Sequence, residues 1–101
     1  MPFNSRKSDR HVIAADIRVT DERGNRTDLV AVDMSRTGLG TDGLIQLKAG
    51  QSVTIELPDG TVKHGSTVWR EDFSGGLLFD QEMTEQELHR TMRSLASRQQ
   101  F

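Results

Sequence analysis

The residues best equipped for recognition chemistry lie where an apolar run gives way to polar groups, in Val30-Ala31-Val32-Asp33-Met34-Ser35-Arg36-Thr37-Gly38-Leu39-Gly40. Asp33 offers acceptors only, whereas Ser35 can both donate and accept. Residues two apart on a strand project to the same side, so these two groups point together if the strand extends that far. Gly38 follows and permits a positive φ or a close approach of the backbone to a ligand. These groups make a corner able to hold a polar molecule. The same residue types also suit a polar strand end followed by a turn, with Asp33 capping that turn. A second group, Arg6-Lys7-Ser8-Asp9-Arg10, sets two arginines four apart ahead of an apolar pattern. A guanidinium is a planar fork that grips phosphate or carboxylate through two hydrogen bonds. The competing reading of this segment is a solvated basic tail.

The elements that must position these groups follow from the pattern of apolar residues. Val12 to Thr20 alternates as a strand, with Ile13, Ala15, Ile17 and Val19 on one face and Asp16, Arg18 and Thr20 on the other. Asp21-Glu22-Arg23-Gly24-Asn25 is hairpin chemistry, and a second strand follows from about Arg26 to Met34, expected to bury Val30, Val32 and Met34. Hairpin strands are antiparallel. The start of the first strand, with its arginines, therefore lies beside Asp33 and Ser35 at the end of the second. A short strand or irregular crossing is expected at Gly38–Gly43, followed by a turn at Lys48-Ala49-Gly50-Gln51. Ser52 to Leu57 alternates with Val53, Ile55 and Leu57 inward, and Pro58-Asp59-Gly60 turns the chain. Thr61 to Arg70 reads as a longer strand with Val62 and Val68 on one face and Trp69 on the other, and Gly76 to Phe79 as a last short one. A helix is predicted over about 84–98. Thr84 and Glu87 make a capping box, and Leu88, Met92, Leu95 and Ala96 form a stripe to be packed on the strands or on a partner.

Composition narrows the function classes. The chain has 101 residues, no cysteine and a formal charge of −2, so one compact domain is expected, with no disulfide and no thiolate metal site. An acidic balance disfavours polymeric nucleic acid, and the positive charge concentrated at Arg6, Lys7 and Arg10 suits a small anionic ligand better. The first residues carry no apolar run of signal-peptide type, and no stretch approaches the roughly 20 apolar residues that span a bilayer. His11, His64 and His89 are scattered, which speaks against a metal site. Ser35 lacks the flanking glycines of a nucleophile elbow, and no nucleophile–base pair is evident, so catalysis is not expected. Gly38-Leu39-Gly40-Thr41-Asp42-Gly43 spells the glycine fingerprint of dinucleotide folds. There is no room for the helix this fingerprint must open before the turn at Gly50.

Arg-x-x-x-Arg followed by Asp-x-Ser-x-x-Gly resembles the paired signature of the PilZ domain, a bacterial receptor family for cyclic di-GMP. Arg6 and Arg10 match the first motif, and Asp33, Ser35 and Gly38 match the second. The likeness extends over most of the chain, including Val68-Trp69 and Gly76-Leu77-Leu78-Phe79. Ser5 stands where many members carry a further arginine, so the number of nucleotides held stays open. The resemblance implies an all-β fold, a six-stranded antiparallel β-barrel with a C-terminal helix. It divides the chain into a flexible arm at 1–11 and a barrel with helix at 12–101. It also implies a stand-alone, cytoplasmic, non-enzymatic receptor without cofactor or metal, whose ligand is cyclic di-GMP. That receptor would signal to an unidentified protein partner as its arginine arm orders over the nucleotide. The ligand-binding positions carried over are Arg6, Arg10, Asp33, Ser35 and Gly38. Arg36 is added as a phosphate contact or an exposed loop residue, and Trp69 as a stacking surface for guanine or a core residue. The alternative is a PilZ-like adaptor that works through protein contacts and binds no nucleotide.

Overall fold

A computed structural model describes residues 10–41, 48–69 and 75–98. Six strands, β1 (His11–Asp21), β2 (Arg26–Met34), β3 (Gly38–Thr41), β4 (Ser52–Glu56), β5 (Val62–Trp69) and β6 (Gly75–Phe79), precede a single helix, α1 (Glu85–Arg98). The strands close into an antiparallel barrel in the order β1-β2-β3-β6-β5-β4, with β4 returning to β1. Closure gives every strand two neighbours, although β3 meets β2 only from Ala31 to Met34 and β4 meets β1 only from Arg18 to Asp21. The expected all-β barrel with a C-terminal helix is therefore the fold observed.

Alternation along β1 sends Ala15, Ile17 and Val19 into the barrel and leaves Asp16 and Arg18 outside. The hairpin to β2 is held by the Asp21 carboxylate, which accepts from the Arg23 amide at 2.9 Å, the Asn25 amide at 2.9 Å and Asn25 Nδ2 at 3.1 Å. Desolvation pushes the Asp21 carboxyl up, but the Asn25 and Arg23 hydrogen bonds and the Arg23 charge outweigh it and hold it below the usual range. Gly24 takes the positive φ of 88° that this turn needs.

β2 departs from the expected pattern. Val30 is 44 % exposed, and the inward residues are Leu29 and Ala31. Register explains the difference. Ile17 pairs with Leu29 and Ala15 with Ala31, whereas Val30 lies opposite the outward Asp16. Directly opposed residues share a face, so β1 decides which parity of β2 is buried. Met34 is nonetheless buried, because an irregularity between Ala31 and Asp33 shifts the alternation by one residue and leaves Val32 half-buried.

Beyond β2, the β4 side chains Val53 and Ile55 and the following Leu57 enter the core, as their alternation predicts. Val62 is half exposed and shares the outer face with Val68 by strand alternation, while Gly65 and Thr67 face inward. Leu77 and Phe79 of β6 complete the core. The helix begins at the capping box. The Glu87 amide donates to Thr84 Oγ1 at 3.0 Å, and the Thr84 amide donates to Glu87 Oε1 at 2.8 Å. Leu88 and Leu95 are 2 % exposed and belong to the barrel core, with Met92 packed against it, so the apolar stripe is spent on the barrel. The Ala96 side chain and residues 1–9 of the expected arm lie outside the described residues. Among the described residues no helix is long and apolar enough to cross a membrane.

Leu88→Ala removes a fully buried side chain and should cost about 2–5 kcal/mol, read as a lowered midpoint in a thermal or urea melt. An unchanged melt would show that α1 adds nothing to the barrel. The hydrogen bond from the Thr84 amide, aided by the charges of Lys63 and Arg90, holds the Glu87 carboxyl below its ordinary range against an opposing desolvation. Its contribution is therefore complete above the ordinary carboxylate range and fades as pH falls through the lowered folded value. Glu87→Gln should flatten that acid limb relative to the parent, as measured by melts across acidic pH.

Candidate functional site

Asp33 stands one residue from the end of β2, opposite Val12 on β1 and Gly40 on β3. Arg10 immediately precedes β1, so the antiparallel hairpin carries it to the same place. Its Nη1 donates to Asp33 Oδ1 as an ion pair. The two side chains are 41 % and 22 % exposed, so solvent screens the pair and its direct contribution to stability is at most about 1 kcal/mol. One member of each motif is thereby joined across the first hairpin. Arg6 lies outside the described residues.

The remaining residues of the second motif build the turn that leads out of β2. The strand ends at Met34, so its alternation does not extend to Ser35. Ser35 is 1 % exposed, its amide donates to the Gly38 carbonyl at 2.9 Å, and its Oγ accepts from the Thr37 amide at 3.2 Å. Its hydroxyl also lies 3.0 Å from Thr37 Oγ1. Gly38 does not take a positive φ. A Cβ there would collide with the Leu77 carbonyl of β6, so the backbone that approaches it closely is a neighbouring strand. Arg36 reaches across to the segment before α1: Nε donates to the Met83 carbonyl at 3.0 Å and Nη2 to Glu82 Oε1 at 3.3 Å. The Met83 amide returns a bond to the Arg36 carbonyl at 2.8 Å, and the Phe79 amide donates to the Thr37 carbonyl at 2.8 Å. Arg36 is thus a tie between two loops in this structure.

Trp69 closes β5 in register with Gly75, and its side chain lies outside the described residues. Three inter-strand steps separate its end of β5 from Asp33, about 14 Å across the sheet. Gly40, read from the sequence only as part of a misleading glycine fingerprint, lies within strand β3 and faces the Asp33 carboxylate. Nothing in the sequence marks that contact, because it depends on the register between β2 and β3. An open groove of about 510 Å³ lies elsewhere on the barrel, bordered by Asp16, Arg18, Asp28, Val30, Glu56 and Pro58, and shares no residue with the motifs. Volume and chemistry therefore point to different places. Opposed charges from separated segments meet in both: Arg10 with Asp33 at the motif corner, and Arg18 with Asp28 at 3.2 Å in the groove.

Neither a family model nor a curated protein matches the chain. Among solved structures it is similar to the Bacillus subtilis inhibitor of motility MotI/DgrA, with a TM-score of 0.58 and 13 % sequence identity. The match covers 97 % of this chain and 55 % of that one, so the chain spans about half the length of its structural neighbour. At that identity the likeness establishes a common fold.

Proposed function

We propose that this protein is a PilZ-like receptor for cyclic di-GMP whose ligand is gripped at Arg10 and Asp33. The observation that carries this reading is the meeting of Arg10 and Asp33 across the β1–β2 hairpin, since it joins the two parts of the signature on the barrel that the signature implies. The chemistry fits. An arginine fork can donate to the O6 and N7 of guanine or to phosphate oxygens, while a carboxylate accepts from the guanine N–H edge. Arg6 adds a second fork as its segment orders over the nucleotide, and the altered surface is what a downstream protein reads. Ser35 and Gly38 support the site by holding the turn behind Asp33, and Arg36 ties that turn to the approach to α1. The structural neighbour is an inhibitor of motility, which supports a regulatory role; a non-enzymatic action in the bacterial cytoplasm belongs to the same proposal.

One observation favours the second reading, a protein–protein adaptor without nucleotide. The Ser35 hydroxyl is buried and bonded within its own turn, so this part of the motif serves the fold. A calorimetric titration with cyclic di-GMP, with GTP and cyclic GMP as controls, separates the two. Saturable heat with cyclic di-GMP alone is expected, and its absence would favour the adaptor.

Two further measurements address the grip itself. Arg10→Lys retains the charge but not the planar fork, so it should lose much of what Arg10→Ala loses, on the order of 2–3 kcal/mol or roughly 30- to 150-fold in affinity. Near-equal affinities of Arg10→Lys and the parent would show that charge alone matters. In this reading Trp69 stacks on the ligand, and because it is the only tryptophan its emission should then shift or quench at saturating cyclic di-GMP. Unchanged emission in a saturated sample would place the ring away from the ligand.

A further inference from the structure

We propose that Gly40 is a positioning residue that sets the Asp33 carboxylate, and through it Arg10, for capture of the ligand; the inference rests on the binding function proposed above. Gly40 lies opposite Asp33 in the β2–β3 ladder. A Cβ at Gly40 would stand 2.5 Å from Asp33 Oδ2, 2.7 Å from Oδ1 and 2.8 Å from Cγ. Those are its three nearest atoms, and real Cβ contacts are essentially never that short. The carboxylate thus rests in the space that any other residue at this position would fill.

A backbone irregularity delivers Asp33 to that space. From Ala31 to Asp33 β2 advances two residues, while β3 advances only one, from Thr41 to Gly40. The facing stretch of β1 has its own shift, between Val12 and Ala15. Bulges of this kind re-aim side chains. Here the bulge swings the carboxylate over β3, and the glycine admits it.

Comparison with other glycines separates a requirement of the site from a requirement of the fold. At Gly38 and Gly65 a Cβ would strike the backbone carbonyls of Leu77 and Leu78, which cannot yield without moving a strand. At Gly40 the obstructing atoms are the far end of a side chain, which can rotate away. Gly40 also has no positive φ, so its backbone suits alanine. The Gly40→Ala barrel should therefore stand, with Asp33 turned out of place and its contact with Arg10 opened.

The test uses Gly40→Ala, Asp33→Ala, the double variant and the parent, each followed by a thermal melt, by calorimetry with cyclic di-GMP, and by NMR without ligand. Gly40→Ala should melt cooperatively near the parent temperature yet bind at least about tenfold more weakly. In the ligand-free protein the Asp33 carboxyl-carbon resonance should move. In the Asp33→Ala background, adding Gly40→Ala should change affinity no further, because the group it displaces is gone. Parent-like affinity of Gly40→Ala, or an equal loss in both backgrounds, would overturn the inference. If Gly40→Ala fails to fold while the double variant folds, the collision with Asp33 is upheld. If both fail to fold, Gly40 serves the barrel and the inference falls. If the parent itself does not bind cyclic di-GMP, the proposed function falls. The Asp33 resonance then decides on its own whether Gly40 places the carboxylate, and an unmoved resonance overturns that as well.

Discussion

Closing six short strands into one barrel is the constraint on which the rest of this structure depends. A sheet that returns to its first strand must bend sharply, and bending is achieved where a strand gains an extra residue or loses its side chain. Both devices are present. β1 and β2 shift register where they run beside the motif, and Gly38 and Gly65 let strand backbones approach to distances that no Cβ would tolerate. The candidate site lies at this strongly curved stretch. Asp33 follows a bulge, faces a glycine, and neighbours the first residues of β1. The geometry that closes the barrel is the geometry that aims the carboxylate.

Much of the second motif has a structural task. Ser35 and Gly38 shape the turn between β2 and β3, and Arg36 binds that turn to the segment entering α1. Asp33 and Arg10 remain the part-exposed, opposite charges of the group. A turn fixed by its own hydrogen bonds makes a rigid rear wall behind Asp33. The bonds of Arg36 with Glu82 and Met83 connect that turn with the approach to the helix.

The apolar interior and the helix are joined more closely than a barrel plus an appendage. Leu88 and Leu95 are as buried as Ile17 and Leu77, and Met83, just before the cap, is equally enclosed. The bond from the Met83 amide to the Arg36 carbonyl ties this junction to the turn behind Asp33. Core packing and site geometry are thus linked through one short segment.

Sequence alone determined the elements whose signal is local. Alternation placed β1 and β4, Asp21 and Gly24 marked the hairpin, Thr84 with Glu87 marked the helix start, and hairpin antiparallelism brought Arg10 to Asp33. Each of these depends on residues close together in the chain or on a single turn. Only the tertiary structure decided the inward face of β2, the burial of Ser35, the tie from Arg36 to Met83, and the space that Gly40 leaves for Asp33. The first and last of these rest on register between strands, where a shift of one residue reverses every side chain beyond it. The other two rest on contacts between segments distant in the chain. Val30, Val32 and Met34 share a parity in the sequence, yet only Met34 is fully buried, because the bulge before Asp33 cannot be read from residue types.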